Sequence, residues 1–552
     1  MKTVIVGGVA GGASAAARLR RLDEHAEIII IERGEYVSFA NCGLPYYIGG
    51  VIEDMEDLTL QTPESLKARF NIDVRTKSEA VAIDTKEKAI TIKNAAGEAY
   101  KDSYDALILA PGAKPVLPNI PGISSKKVFT LRNIPDAQKI KDYVNEARPK
   151  SAAVVGGGYI GVEIAENLVK AGLDVIIIEL ADHLIPPLDF EMAADVHAYI
   201  RSKGIKLILN NGITAIDETA DGLVLKLGRG EIAADFAVVA VGVKPDTDFL
   251  AGSGITTNTR GQIIVDAHMR TNVPDVYAVG DAVEVVDYVT GKPAFLPLAG
   301  PANRQGRIAA DNIAGIDSQY EGTQGSAVLK IFDMTVATTG INERAAKSAC
   351  IDYDKTYIYA ASHATYYPGA KSMSIKAIWD KKTHRLLGAQ IVGFDGVDKR
   401  MDVIATAMRL GAKVTDLAKL ELCYAPPYGS AKDPVNMLGF VAENVISGKL
   451  KQFFWDEADS LPRDGSVTLL DVRTPAEVRR GRIEGFINIP LDSLRVRIDE
   501  IPAGKPVYVH CHSGLRSYIA CRLLEGYGYE CYNLAGGWRL YEAARIEKEL
   551  KK

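Results

Sequence analysis

One cysteine lies in the stretch SFANCGLPYY, and the next cysteine along the chain is Cys350. Asn41, Gly43 and a helix predicted to begin near Pro45 offer backbone N–H groups and a positive dipole end to the sulfur of Cys42. These groups predict a reactive thiolate, with a pKa below the ~8.5 of a free cysteine. The alternative for any lone thiol, an inert packing cysteine, describes Cys350 or Cys423 better.

Two glycine-rich loops stand between a predicted strand and a predicted helix. The loop Gly156–Gly161 reads GGGYIG, a complete GxGxxG pattern, whereas the loop Gly7–Gly12 reads GGVAGG and has Val9 in the place of the middle glycine. Glycines let the backbone approach a pyrophosphate, and the N-terminus of the following helix supplies N–H groups. Glu32 and Glu179 end the next strands, where a carboxylate binds an adenosine ribose. Because a carboxylate repels a 2′-phosphate, Glu179 favours NADH over NADPH.

The elements that position these loops occur twice along the chain. Each copy is predicted as a strand, a helix and a second strand: Lys2–Val6, Gly11–Leu22 and Glu27–Ile31, then Ser151–Val155, Val162–Ala171 and Asp174–Ile178. The pattern predicts an α/β fold with two Rossmann-like dinucleotide-binding domains. Two βαβ units that bind no cofactor are the competing interpretation.

Composition and charge limit the class of protein to which this chain can belong. The chain has 552 residues, 47% hydrophobic and 24% charged, with a formal net charge of −5, as in a globular protein of several domains. No basic block indicates a nucleic-acid partner, and no apolar run approaches the ~18 residues of a membrane span. The N-terminus enters a strand at once and lacks signal-peptide features. Six scattered cysteines predict a reducing, cytoplasmic location without disulfides.

A second candidate thiol lies in VYVHCHSGLRS, where a predicted strand runs into Cys511 and a helix follows. The backbone N–H groups of such a loop form a nest for an anion, and Arg516 adds positive charge at its rim. With LLDVRTPAE and GRIEGFINIP upstream, this region resembles a rhodanese domain, which implies a persulfide on Cys511. Phosphatases of related fold place five residues between cysteine and arginine; the four here predict sulfur transfer instead. The implied loop is Cys511, His512, Ser513, Gly514, Leu515 and Arg516.

The two glycine loops, together with LILAPGAKP, AVVAVGVKPD and VYAVGD in this order, resemble the flavoprotein disulfide reductases with two dinucleotide domains. The resemblance covers about residues 1–448 and implies FAD at the first loop and NADH, or NADPH, at the second. The implied FAD-binding residues are Gly7, Gly8, Val9, Ala10, Gly12, Glu32, Arg33, Asn41, Ala110, Pro111, Gly112, Arg132, Gly280, Asp281, Pro297, Leu298 and Ala299. The implied NAD-binding residues are Gly156, Gly158, Tyr159, Ile160, Gly161, Glu163, Glu179, Val241 and Gly242.

The lone cysteine is similar to that of the single-cysteine branch, which holds coenzyme A-disulfide reductases, NADH peroxidases and NADH oxidases. In the reductases the second sulfur is that of coenzyme A (CoA); in the peroxidases a sulfenic acid replaces it. The peroxidases typically have a histidine in the first glycine loop, where this chain has Ala10. The first helix carries Arg18 and Arg21, which match the CoA-phosphate arginines of the reductases; a solvated face is the alternative. The implied CoA contacts are Ser14, Arg18, Arg21, Ser38, Asn41, Cys42, Asn303, Arg307, Tyr367 and Lys432.

The stretches HATYYPG and CYAPPYGSAKDP resemble the dimerisation domain of the same family. The resemblance implies a homodimer in which Tyr367 and Tyr424 reach the partner subunit's flavin and thiol as catalytic groups, with Tyr428 and Lys432 as further candidates. A tyrosine O–H there could protonate the leaving sulfur. Aromatic packing in a dimer core is the alternative for each tyrosine.

The predicted organisation has a discontinuous FAD-binding domain (1–112 and 244–322), an NAD(P)H-binding domain (113–243), a dimerisation domain (323–448), a linker (449–463) and a rhodanese domain (464–552). Its predicted activity is FAD-dependent, NAD(P)H-driven reduction of CoA disulfide, CoA persulfide or polysulfide through a Cys42–CoA mixed disulfide, with sulfane sulfur handled at Cys511. The alternatives are an NADH oxidase or peroxidase that uses a Cys42 sulfenic acid, a sulfurtransferase with an inactive reductase half, and a redox sensor. No metal site is predicted.

Overall fold

The computed structural model describes residues 1–550. The α-helices are α1 Ala10–Leu22, α2 Leu44–Ile48, α3 Pro63–Phe70, α4 Ile134–Ala147, α5 Tyr159–Lys170, α6 Phe190–Ser202, α7 Ala299–Ile313, α8 Glu343–Ser348, α9 Val397–Arg409, α10 Pro434–Ile446, α11 Pro475–Val478, α12 Leu491–Leu494, α13 Leu515–Gly526 and α14 Gly537–Leu550. Short 3₁₀ turns lie at Asn41–Gly43, Met55–Leu58, Asp248–Leu250, Gly280–Ala282, Val414–Lys419, Ala458–Ser460 and Ile498–Glu500.

The strands are β1 Lys2–Val6, β2 Glu27–Ile31, β3 Asp73–Arg75, β4 Glu79–Asp84, β5 Ala89–Lys93, β6 Ala99–Ser103, β7 Ala106–Leu109, β8 Ala113–Pro115, β9 Val128–Phe129, β10 Ser151–Val155, β11 Asp174–Ile178, β12 Lys206–Ile208, β13 Ile213–Thr219, β14 Gly222–Leu227, β15 Glu231–Ala234, β16 Phe236–Val239, β17 Val243–Pro245, β18 Val276–Ala278, β19 Val285–Val286, β20 Pro293–Ala294, β21 Ala327–Ile331, β22 Met334–Gly340, β23 Tyr353–Ala361, β24 Ser372–Asp380, β25 Leu386–Gly393, β26 Gln452–Phe453, β27 Thr468–Asp471, β28 Ile487–Asn488, β29 Val507–His510 and β30 Cys531–Leu534.

The chain forms two compact units. The first comprises Met1–Leu180 and Ile205–Gly325, and the second comprises Ala181–Gly204 and the residues from Ser326 onward. Among the helices of residues 1–550, none is both long enough and apolar enough to cross a membrane.

The first unit contains two parallel five-stranded sheets. Their strand orders are β18-β7-β1-β2-β3 and β12-β11-β10-β16-β9. The central strands are short runs of β-branched and small apolar residues, buried along almost their whole length, as strands covered on both faces must be. Both predicted βαβ units are confirmed, with helix α1 one residue longer at its start than predicted and α5 three residues earlier.

The parallel strands bring distant segments to one sheet edge. Strand β18 pairs with β7, and β7 pairs with β1, so the carboxyl ends of these strands meet beside the first glycine loop. Three antiparallel additions, β4-β5-β6, β13-β14-β15 and β8-β17, complete the unit together with β19-β20. The edge at which the first strands end is where the site described below is assembled.

The second unit contains an antiparallel and a parallel sheet. The antiparallel sheet has the order β21-β22-β25-β24-β23, and the parallel one has the order β26-β30-β29-β27-β28. Helix α9 lies in the same unit as the antiparallel sheet. Strands β27 to β30, with α11 to α14, form the α/β pattern predicted after residue 464, whereas β26 lies in the stretch 449–463 that was predicted as a linker.

A buried lysine joins three carboxylates in the second unit. Lys376 on β24 is fully buried and contacts Asp189, Glu191 and Glu343. These three acidic residues lie close enough together to hold a cation. The ammonium group of Lys376 supplies the positive charge there, so the cluster is an internal ion-pair network.

Candidate functional site

Cys42 lies in a 3₁₀ turn that leads directly into helix α2. The turn is closed by the amide of Gly43, which donates to the carbonyl of Ala40 at 2.9 Å, and Pro45 occupies the first turn of the helix, where its missing N–H costs nothing. The helix predicted near Pro45 is therefore confirmed. Cys42 itself reaches the surface of the first unit.

The surroundings of Cys42 shift its pKa opposite to the predicted direction. Burial of the sulfur raises the pKa of Cys42, the carboxylates of Glu163 and Asp281 raise it further, and the guanidinium of Arg132 opposes them. The prediction of a lowered pKa was wrong for the protein's own side chains, because it counted the local N–H groups but neither the burial of the sulfur nor two acidic residues from distant segments.

Tyr46 and Glu163 form a hydrogen-bonded pair in the first unit. The Tyr46 hydroxyl donates to Oε1 of Glu163 at 3.3 Å. Burial raises the pKa of Glu163 to about 7 and, with the adjacent carboxylate, that of Tyr46 to about 12. Glu163 was predicted only as an NAD-binding residue, and Tyr46 was not predicted as a site residue. Tyr46 follows Cys42 by four residues, and this spacing places the side chains of Cys42 and Tyr46 on one side of a helical stretch.

The first glycine loop is packed too tightly for side chains. Gly7 has φ +92°, and a Cβ there would collide with the carbonyl of Ala110; a Cβ on Gly12 would collide with the carbonyl of Gly7. The carboxylate of Glu32 accepts the amide of Gly8 at 2.9 Å. Close backbone approach and an acidic strand end are what a dinucleotide requires, so these residues fit FAD.

The other predicted FAD-binding residues lie along the same edge of the first sheet. The Arg132 guanidinium pairs with Asp281 at 3.0 Å, and Asn41 contacts the carbonyl of Arg132 at 3.5 Å. Arg33 pairs with Asp246 at 2.7 Å. Val9 and Ala10 lead into α1, and Gly280 opens the turn after β18. The remaining ones follow β7 or lead into α7: Ala110, Pro111, Gly112, Pro297, Leu298 and Ala299.

The second glycine loop has the same construction. A Cβ on Gly156 or Gly161 would collide with a backbone carbonyl, whereas Gly158 faces open space. The carboxylate of Glu179 accepts the amide of Gly157 at 2.6 Å. Tyr159 and Ile160 begin helix α5, and Val241 and Gly242 lie between β16 and β17. The open space at Gly158 fits a pyrophosphate at the start of α5.

A cationic cavity of about 430 Å³ lies in the same unit as Cys42. Six of the predicted CoA contacts line it: Ser14, Arg18, Arg21, Ser38, Asn303 and Arg307. The other lining residues come from helices α1 and α3 and from the segment before α3: Ala13, Ala17, Gln61, Leu66, Arg69 and Phe70. Arg69 adds a fourth guanidinium that sequence reasoning missed. No motif marks it, because α3 reaches the cavity only through the folded chain.

The arginines of helix α1 differ in their partners. Arg20 is buried and donates to backbone carbonyls, including that of Phe70 at 2.7 Å, so it has a structural role. Arg18 lines the cavity but pairs with Asp311 at 2.6 Å. Arg21 is exposed at the cavity. The exposed, solvent-accessible cations are thus Arg21, Arg69 and Arg307, with Arg18 held in place by its carboxylate.

The predicted tyrosines lie in the second unit. Tyr424 and Tyr366 share a hydroxyl–hydroxyl hydrogen bond of 2.7 Å, and the rings of Tyr367 and His363 are 5.7 Å apart. Tyr367 and Tyr424 expose 43% and 46% of their surface, and Lys432 is exposed as well. The predicted contacts of these side chains with a partner subunit stay a prediction.

The Cys511 loop cradles its sulfur. Cys511 is fully buried, and its Sγ accepts the amide of Gly514 at 3.1 Å and the hydroxyl of Ser517 at 3.2 Å. Gly514 has φ +97°, which turns the loop into helix α13. Donors aimed at one sulfur fit a persulfide anion.

The rim of this loop carries an ion pair. Arg516 makes a bidentate contact with Glu477, at 2.6 and 2.8 Å. Glu477 also caps helix α11 with Thr474, and the Arg516 guanidinium holds the pKa of Glu477 well below its usual range. Sequence reasoning missed both Glu477 and Ser517. His512 and Ser513 complete the loop, and burial lowers the pKa of His512.

Matches to three known domain families together cover most of the chain. Residues 1–306 match the pyridine nucleotide-disulphide oxidoreductases, residues 326–434 match their dimerisation domain, and residues 454–544 match a rhodanese-like domain.

Three relatives match over most of their own length. A coenzyme A disulfide reductase of Staphylococcus aureus (strain bovine RF122 / ET3-1) is 37% identical over 80% of this chain and 100% of its own. The crystal structure of reduced Bacillus anthracis CoADR-RHD is 50% identical, with a TM-score of 0.97, over 99% of this chain and 98% of that one. The structure of a NAD-dependent persulfide reductase from A. fulgidus is 38% identical, with a TM-score of 0.92, over 98% and 100%. The chain therefore belongs to the pyridine nucleotide-disulphide oxidoreductase family and carries a rhodanese-like domain.

Proposed function

We propose that this enzyme uses NADH to reduce CoA disulfide, CoA persulfide or a related polysulfide through a Cys42–CoA mixed disulfide. One observation carries the proposal: the cavity lined by Arg21, Arg69 and Arg307 shares the first unit with the lone thiol. Ser38 lines that cavity, and the chain runs from it to Cys42 within four residues. Guanidinium groups bind phosphates tightly, so the nucleotide end of CoA fits the cavity and its thiol end fits Cys42.

The nucleotide sites supply the reducing power. FAD bound at the first loop would supply two-electron transfer between the nicotinamide and the disulfide at Cys42. Gly7, Gly12 and Glu32 would hold it, as Gly156, Gly158 and Glu179 would hold NADH. The carboxylate at Glu179 favours NADH over its 2′-phosphorylated form, because two negative groups would meet there.

The chain's own residues carry the sulfur exchange. The Cys42 thiolate attacks the CoA sulfur of CoA–S–S–R, which forms the Cys42–S–S–CoA bond and breaks the substrate disulfide. The released R–S⁻ takes one proton. Two electrons and one proton from NADH then cleave the mixed disulfide to the Cys42 thiolate and CoA–SH. Arg132 is the cation that stabilises the thiolate.

A homodimer and the rhodanese-like domain complete the proposal. Tyr367, Tyr424 and Lys432 are placed on the dimerisation domain, where the partner's copy would close the substrate site. Cys511 holds sulfane sulfur as a persulfide, and CoA carries that sulfur between Cys511 and Cys42. We place the reaction in the reducing cytoplasm, where both thiols stay reduced.

An NADH oxidase or peroxidase is the second candidate, because it uses the same fold and the same cysteine. Ala10 offers no proton donor for cleavage of an O–O bond, whereas the arginines have a clear use for CoA. The site therefore favours the reductase.

Substrate-dependent NADH consumption separates the two candidates. We expect the holoenzyme to oxidise NADH rapidly with CoA disulfide or CoA persulfide and slowly with oxygen or hydrogen peroxide, and Cys42→Ser to lose the CoA-dependent reaction. Equal rates with peroxide and with CoA disulfide would contradict the proposal.

A further inference from the structure

The bidentate ion pair at the rim neutralises the positive charge of the Cys511 loop. Arg516 is the only arginine or lysine of this loop, and two of its nitrogens donate to the carboxylate of Glu477, at 2.6 and 2.8 Å. Glu477 raises the pKa of Arg516, and the sulfur of Cys511 adds to this shift, so the guanidinium lies within reach of both. The charge that could hold an anionic donor beside Cys511 is thus already bound to a carboxylate.

Two further guanidinium groups approach the same loop, and both are paired. Burial lowers the pKa of His512 in the loop, and the charges of Arg539 and Arg473 lower it further. Arg473 is buried and contacts Asp471 at 2.7 Å, whereas Arg539 pairs with Asp195 at 3.8 Å. Neither of these cations is therefore free to bind a second negative charge at the loop.

The residues at the opening of the loop are apolar instead. Leu515, within the loop, and Ile519, one turn further along α13, expose 58% and 41% of their surface. Side chains four residues apart lie on one face of a helix, so the two form an exposed apolar strip that begins at the loop. Such a strip fits the carbon chain of an organic sulfur donor better than the oxygens of an inorganic one.

Sulfur donors differ in the charge that they bring to a thiolate. The reacting end of an organic persulfide, R–S–SH or R–S–S⁻, carries at most one negative charge, whereas thiosulfate carries two. The amide of Gly514 and the hydroxyl of Ser517 point at the sulfur of Cys511, and these donors can stabilise one anionic sulfur. Two additional negative charges would meet only paired guanidinium groups here, so the site disfavours thiosulfate.

We propose that Glu477 determines the donor specificity of the rhodanese-like domain: by pairing with Arg516, it makes Cys511 accept sulfane sulfur from organic persulfides and discriminate against thiosulfate. Glu477 acts through Arg516 and needs no contact with the donor. The inference deepens the proposed function, on which it rests for the role of Cys511 as the sulfur carrier. CoA persulfide is a donor of this class, because its phosphates lie at the end of the molecule that is far from the sulfur.

The transfer moves one sulfur atom and needs no outside oxidant. The Cys511 thiolate attacks the terminal sulfur of R–S–SH, a new S–S bond forms at Cys511, and the S–S bond of the donor breaks. The leaving R–S⁻ takes the proton and departs as R–SH. The donor is reduced to a thiol as the Cys511 thiolate is oxidised to the persulfide anion Cys511–S–S⁻. The same attack on thiosulfate would release sulfite.

The test is sulfur transfer to cyanide by the full-length protein without NADH, so that reduction at Cys42 plays no part. CoA persulfide and thiosulfate serve as alternative donors, and thiocyanate formation is measured against Cys511→Ser as the blank. We expect the wild-type kcat/KM to be at least about tenfold higher with CoA persulfide. In Glu477→Gln, the kcat/KM for thiosulfate should rise about tenfold, as expected for one charge-assisted contact, and this gain should shrink as salt is added.

Three variants separate the charge of Glu477 from its structural role. Glu477→Gln should fold, because glutamine also completes the capping box with Thr474. Glu477→Asp keeps the negative charge and should keep the wild-type preference for persulfide. Glu500→Gln removes the carboxylate of another bidentate pair, with Arg497 at 2.6 Å, and should leave the rates with both donors unchanged.

The outcomes distinguish this inference from the proposed function. Equal wild-type use of both donors, or an unchanged donor ratio in Glu477→Gln, would overturn the inference and leave the proposed reduction at Cys42 untouched. No thiocyanate above the blank from either donor would overturn the inference together with the proposed sulfur transfer at Cys511.

Discussion

At the scale of single residues, charge decides what the two thiols can do. Burial and the carboxylates of Glu163 and Asp281 raise the pKa of Cys42, whereas the guanidinium of Arg132, which is paired with Asp281, lowers it. Cys511 instead has an amide and a hydroxyl aimed at its sulfur. The first thiol is suited to a reversible exchange, and the second is suited to holding an anionic sulfur.

The cationic cavity gives the first residue-level prediction. Arg21→Glu places a negative charge where a phosphate of CoA should bind. We expect the KM for CoA disulfide to rise at least about tenfold, the loss of one charge-assisted contact, while the KM for NADH stays the same. Steady-state kinetics with each substrate varied in turn measures both.

A matched control is available on helix α7. Arg304 is exposed and stacks over Tyr320, and it is not among the cavity residues. Arg304→Glu should leave both KM values unchanged. If both arginine variants weakened CoA disulfide equally, a long-range charge effect would explain the result and the cavity would not.

The site residues that could not be predicted from the sequence share one physical feature. Cys42, Arg18 and the glycine loops stand in motifs whose spacing is local, so they could be predicted. Arg69 and Tyr46 meet their neighbours in the site only when the chain is folded, so no local motif marks them. The direction of the Cys42 pKa was mispredicted for the same reason, since the burial of its sulfur and the approach of Glu163 and Asp281 both arise only when the chain folds.

At the scale of elements, the strand–loop–helix units were predictable because buried β-branched runs and close-packed glycines are strong local signals. Helix α5 begins earlier than predicted, because the last residues of the glycine loop already form its first turn. What the patterns did not reveal is the grouping of the segment Ala181–Gly204, with helix α6, in the second unit. Nothing local distinguishes that helix from one of a dinucleotide domain.

Two glycines of the second loop should respond differently to alanine. Gly161→Ala forces a methyl group against the carbonyl of Gly156, which should cost about 1–3 kcal/mol of folding stability. Gly158→Ala meets open space and has a φ of −77°, so the fold should be unaffected. The methyl group would, however, occupy the volume fitted to the NADH pyrophosphate, and NADH binding should weaken.

Thermal unfolding and NADH titration of the flavin-loaded protein separate these effects. Unchanged NADH affinity in Gly158→Ala would mean that the dinucleotide does not approach this loop.

The buried lysine network gives a prediction of stability. Lys376→Met leaves the carboxylates of Asp189 and Glu191 without their cation and Glu343 with Lys355 alone, which should cost about 3–5 kcal/mol. The exposed pair of Lys451 and Glu530 offers a control, and Lys451→Met should have no measurable effect. Denaturant unfolding at pH 7 measures both variants.

The same network predicts a pH dependence. The ammonium of Lys376 and that of Lys355 lower the pKa of Glu343 from 4.5 to about 2. A lowered folded-state pKa stabilises the protein fully above pH 4.5, and this stabilisation is lost as the pH falls towards 2. In Lys376→Met, the stability lost on acidification should be smaller, because protonation of Glu343 then removes a buried charge that has lost the cation of Lys376. An equal acid dependence in both proteins would contradict the network's role.

At the scale of the whole molecule, one chain combines a disulfide reductase and a sulfur-transfer loop. If sulfane sulfur passes through both, Cys511→Ser should slow NADH oxidation with a polysulfide donor and free CoA about tenfold or more, because the persulfide-holding thiol is missing. NADH oxidation with CoA disulfide should remain unchanged, since it needs only Cys42. Equal rates with polysulfide in the variant and the wild type would show that the rhodanese-like domain does not supply sulfur to Cys42.

The central claim is that CoA supplies the second sulfur of the redox pair. Denaturing mass spectrometry of the enzyme, purified without reductant and then digested, tests it most directly. We expect a disulfide-linked CoA on the Cys42 peptide that NADH removes from the flavin-loaded enzyme. A Cys42 peptide that carries only oxygen, as sulfenic or sulfinic acid, and never CoA after incubation with CoA disulfide would contradict it.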